Sequence, residues 1–267
     1  MWVLRGLRNG VVTTRWPAKP DEYADGWRGP ATVLDGTGMR TLPDGDALTG
    51  VCPTGAIRRR EDGGASLDQG RCIGCGRCVI ARPELFGWAR GPAAAALARG
   101  GLVVPAAAET DAELAAMRDS LRQRTRALGR SVHIRHVDAG SDGSEEWEIN
   151  ALLNPVYDVH RLGIFFTASP RHADVLLVTG GGARGMAGPL RVTYQGMPDP
   201  KVVIAAGTDA VSGGLLDGSY ATHGGIDDIL PVDVWVTGSP PSPFTLLHAL
   251  LLALGRLPAR LAMEVRP

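Results

Sequence analysis

The chain has 267 residues, with 28 Lys and Arg side chains against 28 Asp and Glu side chains. At roughly 150 residues per domain this length allows two domains, and the even charge balance gives no electrostatic basis for binding nucleic acid. We therefore expect two domains and no nucleic-acid partner.

The N-terminus, "MWVLRGLRNGVVTTRW", lacks the apolar core of a signal peptide. The longest apolar stretch, residues 244–255, is well short of the roughly 20 residues that a membrane-spanning helix needs. We therefore expect a soluble, cytoplasmic chain with no direct membrane span.

All the cysteines lie between residues 52 and 78, and the long remainder of the chain contains none. Such clustering argues against the disulfide framework of a secreted protein and is typical of a single metal centre. The candidate ligands are Cys52, Cys72, Cys75 and Cys78.

The segment "GRCIGCGRCVIARP" follows the ferredoxin spacing C-x2-C-x2-C-x3-C-P up to its last cysteine, which is replaced by Arg82. In two-cluster ferredoxins the cysteine before the proline ligates the other cluster. Cys52 precedes Pro53 further upstream, so we expect Cys52 to complete the ligand set.

The corresponding first motif has lost its other ligands. Counting back from Cys52 with the same spacing gives Leu48, Gly45 and Leu42. One complete set of four thiolates therefore remains, and it predicts one 4Fe–4S cluster. A tetrahedral zinc site with the same four cysteines is the alternative, although zinc sites more often pair two separated C-x2-C knuckles.

Residues 1–88, from "GVVTTRWP" through "CPTGAI" to "GRCIGCGRCV", resemble the ferredoxin-type subunits of respiratory complex I and of the membrane-bound group 4 NiFe hydrogenases. The resemblance is specific in the second cysteine motif and degenerate in the first. It implies an α+β ferredoxin-like domain over residues 1–88 with one 4Fe–4S cluster.

Residues 89–109 are rich in Ala, Gly and Pro, which predicts a linker. An amphipathic helix follows. Thr110 and Glu113 form a capping box, and the apolar face ends before Gly129. That face consists of Leu114, Met117, Leu121 and Leu128. We expect it to pack on its own domain rather than on a partner.

Short apolar runs rich in branched residues then alternate with segments long enough for crossover helices: "SVHIRHV", "GIFFTAS", "ADVLLVTG", "KVVIAAG" and "VDVWVTG". This alternation predicts an α/β domain over residues 110–267, with a parallel sheet covered on both faces. The loops after the strands should meet at one edge of that sheet. None of them carries a Rossmann G-x-G-x-x-G motif.

Residues 131–256 closely resemble the cluster-binding small subunit shared by complex I and group 4 NiFe hydrogenases, with "HVDAGS", "EINALLNPVYDVHRLGI" and "DDILPVDVWVTGSPPSPFTLLHALLLALG" in family order. The resemblance implies a flavodoxin-like domain. It also implies that the family's four cluster cysteines correspond here to Asp142, Glu145, Asp209 and Ser239.

Three carboxylates and a hydroxyl cannot replace four thiolates around a 4Fe–4S cluster, so we expect this second site to be vacated. One alternative is that the site holds a hard cation such as magnesium or calcium, and the other is that its polar residues fill a water-accessible cavity without a metal. Glu146 matches a family acid that the resemblance links to proton movement, although an ordinary solvated or helix-capping role is equally compatible. We interpret His133 and His136 structurally, because they lack ligand spacing.

These observations and resemblances predict an electron-transfer and scaffolding subunit of a complex I-like or group 4 hydrogenase-related membrane complex, peripheral on the cytoplasmic side. Its expected partners are a large hydrogenase-like or complex I-like subunit and membrane subunits of the same complex. The alternative is a purely structural assembly subunit. No activated nucleophile or acid–base pair indicates independent catalysis.

Overall fold

The computed structural model describes residues 2–34, 48–105, 111–126, 131–257 and 265–266. Leu42 and Gly45 of the degenerate first motif lie outside these ranges, and so does Thr110 at the start of the predicted helix. The same holds for Leu128, Gly129 and the side chains of Glu113 and Leu114.

The N-terminal part combines short helices with short strands. In chain order these are α1 (Trp2–Asn9), α2 (Glu22–Gly26), β1 (Arg28–Val33), α3 (Leu48–Val51), β2 (Ile57–Arg59), β3 (Ala65–Asp68), α4 (Arg77–Ala81) and β4 (Phe86–Arg90). The alternating burial along β3, with Ala65 and Leu67 buried, is typical of a strand that packs one face on a core.

Two small antiparallel sheets form from these strands. One has the order β1-β4-β12, in which β12 is Val265–Arg266, and the other has the order β2-β3-β6, in which β6 is Val103–Val104. They share an apolar core around Leu67 and Phe86, both almost fully buried. The described elements of residues 1–88 are thus mixed α and β, and the ferredoxin-like domain remains a prediction.

The segment predicted as a linker carries ordered structure over its described part. It contains β5 (Ala95–Ala96) and a 3-10 helix (Arg99–Leu102), followed by β6. β5 pairs with a strand of the large C-terminal sheet, whereas β6 pairs with β3. Residues 89–105 therefore connect the two halves through strand pairing on both sides.

The C-terminal half is built on one six-stranded sheet. Its elements are α5 (Asp111–Thr125), β7 (Val132–Asp138), α6 (Ser144–Ala151), β8 (Ile164–Phe166), β9 (Val175–Thr179), α7 (Ala187–Gly196), β10 (Val202–Ala206), α8 (Thr208–Ser212), β11 (Val234–Val236) and α9 (Pro243–Ala253). The strand order is β5-β11-β10-β9-β7-β8. All pairs are parallel except β11 with β5, which confirms the predicted α/β architecture with a parallel sheet.

Apolar side chains cover both faces of this sheet. α9 packs on one face, and each of its residues is buried. Ser242 caps it by accepting a hydrogen bond from the Thr245 amide at 3.2 Å. Trp16 from the N-terminal segment meets Phe244 edge-to-face at 5.9 Å, so the N-terminal half contributes to this core.

The predicted helix in residues 110–128 is confirmed as α5. Leu121 is buried, but Met117 is 44% exposed, so the apolar face packs only in part. No helix in the described ranges has both the length and the apolar composition that crossing a membrane requires.

The strand order reverses beside β7, since the chain moves outward to β8 and then returns to β9 on the other side. In open α/β sheets, binding sites form in the crevice at the carboxyl ends of the strands around such a switch point. The loops that follow β7, β9, β10 and β11 therefore meet at one edge.

Candidate metal centre

Cys72, Cys75 and Cys78 lie on a turn that we name the cysteine loop, residues 70–78. Cys72 follows a 3-10 helix, and Cys78 lies in α4. The turn depends on Gly74 and Gly76, whose φ angles of +66° and +74° favour glycine. A Cβ on Gly76 would also lie 3.2 Å from the Trp88 ring.

Cys52 follows directly after α3 and belongs to the same apolar region. Cys52, Cys72 and Cys78 pack into or against the core around Phe86, whereas Cys75 is exposed. The structure thus places the distant cysteine beside the core that carries the cysteine loop.

Backbone amides donate hydrogen bonds to two of these sulfur atoms. The Ala56 amide lies 3.3 Å from Cys52 Sγ, and the Gly74 amide lies 3.4 Å from Cys72 Sγ. Hydrogen bonds of this kind stabilise thiolates, and around iron–sulfur clusters they tune the reduction potential. The local backbone is therefore arranged to favour negatively charged sulfur.

Burial raises the pKa of the Cys72 thiol, and the nearby Cys52 and Cys75 thiols raise it further. Burial likewise raises the pKa of Cys78 to about 11, with Cys72 as the next cause. The other cysteines thus lie close enough to Cys72 and Cys78 to affect the charge of these two thiols. In the described ranges, no three His, Cys, Asp or Glu side chains are arranged around one point as ligands of a metal ion.

The donor set suits a metal that binds soft anionic sulfur. A bound metal holds its cysteine ligands deprotonated, which reverses the effect of burial on their pKa. Four cysteine thiolates, two of them with backbone amide donors, fit the donor set of a 4Fe–4S cluster, and the same thiolates could hold zinc.

Three of the four residues predicted for the vacated site come together at the sheet edge, and we name Asp142, Glu145 and Asp209 the carboxylate cluster. Asp142 and Glu145 follow β7, and Asp209 lies in α8 after β10. Glu145 is only 1% exposed. Gly207 leaves it room, because a Cβ there would lie 2.6 Å from Glu145 Oε1.

The charges of this cluster affect one another. Burial raises the pKa of Glu145 to about 7, and the Asp209 and Asp142 carboxylates contribute to the increase. Burial also raises the pKa of Asp209, with Asp142 as the second cause. Hydrogen bonds from the Ser144 hydroxyl and amide lower the pKa of Asp142. Glu145 therefore holds a proton near neutral pH more readily than an ordinary glutamate does.

Ser239, the fourth predicted residue, is exposed at the same edge. It follows Gly238, whose carbonyl accepts a hydrogen bond from the Thr208 amide at 2.7 Å. Ser239 lines a cleft of about 220 Å³ together with Cys72, Gly74 and Trp88. Its position therefore connects the sheet edge with the cysteine loop.

Glu146 makes a hydrogen-bonded network beside the carboxylate cluster. It accepts a 2.6 Å hydrogen bond from Ser141 Oγ and a second from Thr179 Oγ1. His136 Nε2 lies 3.0 Å from Thr179 Oγ1 and 3.4 Å from Glu146 Oε1. Burial lowers the pKa of His136, and the Glu146 charge opposes that effect.

His133 lies away from this network, tilted against Phe165 with 5.8 Å between ring centroids.

The sequence did not point to Thr208 and Ser212, which contact the cysteine loop from α8. A helix of five residues has too weak a pattern to be recognised, and hydroxyl residues there carry no motif.

Comparisons with known proteins identify a family and several relatives. Residues 143–253 match the family described as NADH ubiquinone oxidoreductase, 20 Kd subunit. The chain is 40% identical over 154 residues to formate hydrogenlyase subunit 7 of Escherichia coli, covering 58% of this chain and 59% of that protein. It therefore spans about three fifths of that relative's length.

A probable membrane-bound hydrogenase subunit, mbhJ, of Pyrococcus furiosus is 41% identical over 147 residues, covering 55% of this chain and 88% of that protein. Among solved structures, a chain of the membrane-bound sulfane sulfur reductase, an archaeal respiratory membrane complex, aligns at 30% identity with a TM-score of 0.44. That alignment covers 49% of this chain and 74% of that chain.

Proposed function

We propose a function from one premise, that this chain belongs to the family described as NADH ubiquinone oxidoreductase, 20 Kd subunit. The chain acts as an electron-transfer and scaffolding subunit of a complex I-like or group 4 NiFe hydrogenase-related membrane complex. Two relatives carry the word subunit in their names, one of a formate hydrogenlyase and one of a membrane-bound hydrogenase.

The proposed organisation has three parts. Residues 1–88 form a ferredoxin-like domain, residues 89–109 connect the halves, and residues 110–267 form the small-subunit-like domain. The observation that carries the proposal is the contrast between the two sites. Cys52, Cys72 and Cys78 lie in or against one apolar core and Cys75 lies on the same cysteine loop, whereas carboxylates stand where the family resemblance expects cluster cysteines.

In the N-terminal site, Cys52, Cys72, Cys75 and Cys78 would hold one 4Fe–4S cluster. When bound, such a cluster supplies reversible one-electron transfer. The amides of Ala56 and Gly74 orient and stabilise two of the thiolates. The surrounding apolar core excludes water from Cys78, which is 7% exposed.

In the C-terminal site, the carboxylate cluster has lost the capacity to bind a 4Fe–4S cluster, since carboxylate oxygens are hard ligands. This loss favours a scaffold role for the C-terminal half. A purely structural assembly subunit, without electron transfer, is the second candidate function, and the same observation supports it.

Exposed apolar residues support docking to other subunits. Trp147, in the helix that carries Glu145, is 77% exposed, Tyr220 is 90% exposed, and Ile80 next to the cysteine loop is also exposed. The apolar side chains of α1 are exposed as well. Large side chains of this kind are typical of protein interfaces. The proposed partners are a large hydrogenase-like or complex I-like subunit and membrane subunits, which would hold the chain peripherally on the cytoplasmic side.

One experiment separates the two candidate functions. A tagged chain and its Cys52→Ala and Cys75→Ala variants are purified anaerobically from detergent-solubilised native membranes. We expect all three to bring down a family large subunit, identified by mass spectrometry. Only the wild type should show a broad visible absorption that bleaches on reduction, because each variant lacks one thiolate ligand.

The outcomes differ in what they overturn. A wild-type chain that purifies without a large subunit contradicts membership of the complex. An intact cluster in Cys52→Ala, with the cluster lost in Cys75→Ala, shows that Cys52 is not the fourth ligand. A bound large subunit without any visible absorption in the wild type supports the purely structural alternative.

A further inference from the structure

We propose that α8 is a brace for the cysteine loop, in which Thr208 and Ser212 are positioning residues that hold the Cys72 backbone in place. This inference rests on the proposed function, because it concerns the ligand loop of the proposed cluster. It assigns a new use to the short helix that carries Asp209 of the carboxylate cluster.

Thr208 makes the direct contact with the ligand residue. Its hydroxyl donates a 3.0 Å hydrogen bond to the Cys72 carbonyl, and the residue is completely buried. The buried Thr208 hydroxyl would lose its partner if this contact broke, and an unsatisfied buried polar group is costly. The Thr208 hydroxyl therefore fixes the backbone at the residue where the first thiolate of the loop begins.

Ser212 holds the same loop one helical turn later. Its Oγ lies 2.9 Å from the Gly70 carbonyl and 3.1 Å from the Thr208 carbonyl, and only one hydroxyl proton serves both acceptors. Gly70 approaches α8 so closely that a Cβ there would lie 2.8 Å from Val211 Cγ1. The absence of a side chain at position 70 is thus a condition for the contact.

The hydrogen bonds of the cysteine loop also extend to the turn that carries Cys52. Thr54 Oγ1 donates a 2.6 Å hydrogen bond to the Arg71 carbonyl and lies 3.4 Å from Cys52 Sγ. Arg71 in turn forms a 2.7 Å ion pair with Asp217, which follows α8. The turns that carry Cys52 and Cys72 are therefore tied to each other and to the C-terminal half.

The geometry gives α8 two adjacent residues with different tasks. Thr208 contacts the cysteine loop, and Asp209 belongs to the carboxylate cluster. The family resemblance places a cluster at this edge of the C-terminal sheet. In this chain the same edge would instead stabilise the cysteine loop of the N-terminal site. The hydroxyls act through the Cys72 backbone and do not touch the sulfur atoms in the described contacts.

The test uses the full chain, purified anaerobically, with Thr208→Val as the main variant. Thr208→Ser keeps the hydroxyl and serves as the rescue. Thr193→Val is the matched control, because Thr193 also donates to a backbone carbonyl, Pro189 O at 2.9 Å, but lies in α7. The two readouts are amide hydrogen exchange over residues 70–78 and the rate at which the visible absorption disappears in air.

In Thr208→Val, exchange of these amides and loss of the absorption should each be about tenfold faster than in the wild type, the effect of removing one buried hydrogen bond. Thr208→Ser and Thr193→Val should remain close to the wild type. Equal exchange in Thr208→Val and Thr193→Val would overturn the brace. If Thr208→Val does not fold, Ser212→Ala is measured in the same way.

The two readouts also separate the brace from the proposed function. A wild-type chain that lacks iron, but whose cysteine loop exchanges faster in Thr208→Val, keeps the brace and rejects the cluster. A chain with a cluster, whose stability in air and amide exchange are unchanged in Thr208→Val, keeps the cluster and rejects the brace.

Discussion

At the scale of single residues, Glu145 is a buried acid at a position that the family resemblance assigns to a cluster cysteine. The residue is 1% exposed and has two other carboxylates as neighbours. Burial without a counter-charge disfavours the ionised form. At neutral pH a substantial fraction of the folded chains therefore carries a proton on this buried acid.

This burial predicts a pH-dependent stability. The pKa of Glu145 is about 7 in the folded chain, above the ordinary value of 4.5. The folded state therefore keeps a proton that the unfolded state has released, and stability falls as the pH rises from 4.5 to 7. Glu145→Gln should therefore increase the free energy of unfolding by roughly 3 kcal/mol above pH 7. Urea unfolding at pH 4 and pH 8 measures the difference.

At pH 4 the variant and the wild type should unfold at similar urea concentrations, because both side chains are then neutral. Glu61→Gln, on an exposed turn, is the control and should change stability little at either pH. If Glu145→Gln were no more stable than the wild type at pH 8, the carboxylate would be compensated by water or a cation.

At the scale of elements, α9 is a helix without a solvent-facing side, and it contains His248. The ring is completely buried, and neither of its nitrogen atoms has a hydrogen-bond partner. Burial lowers the pKa of His248 to about 4. The helix therefore contains a neutral imidazole that contributes packing and leaves two polar atoms unsatisfied.

His248→Leu should stabilise the chain by about 1–3 kcal/mol at pH 7, since it removes buried polar atoms without partners. The gain should grow as the pH falls. Between pH 6.5 and pH 4 the unfolded state binds a proton that the folded state refuses, so only the wild type loses stability there. Thermal unfolding at pH 7 and pH 5 measures both effects, with exposed His172→Leu as the control. A smaller gain at pH 5 than at pH 7 would contradict this explanation.

Sequence patterns predicted the longer elements better than the short ones. The branched apolar runs of β7, β9 and β10 and the apolar stretch of α9 are long enough to be recognised as buried strands and a buried helix. β5 consists of Ala95 and Ala96, which have no strand pattern, and its pairing with β11 depends on tertiary packing. α8 is recognisable only once the cysteine loop is seen to pack on it.

The candidate sites were predictable to a similar extent. Topology alone brings Asp142 and Asp209 to one edge, because both follow parallel strands of one sheet. The place of Ser239 beside Cys72 depends on how the two halves meet, which no local pattern encodes. The ligand role of the four cysteines stays a prediction based on spacing.

At the scale of the whole molecule, each half has its own apolar core, and the halves are joined by packing contacts, strand pairing and a shared cleft. Trp16 packs on Phe244, β5 and β6 join sheets on both sides, and α8 contacts the cysteine loop. The chain spans about three fifths of its Escherichia coli relative, 59% of that protein. We propose that the fusion keeps a single electron-transfer site on a scaffold whose own cluster has been lost.

The iron and acid-labile sulfide content of the anaerobically purified chain tests most directly whether the chain holds one cluster and has one vacated site. We expect about four iron atoms and about four sulfides per chain, one 4Fe–4S cluster. Asp142→Ala and Ser239→Ala should leave that content unchanged. About eight iron atoms per chain, or stoichiometric zinc without iron, would contradict one retained cluster and one vacated site.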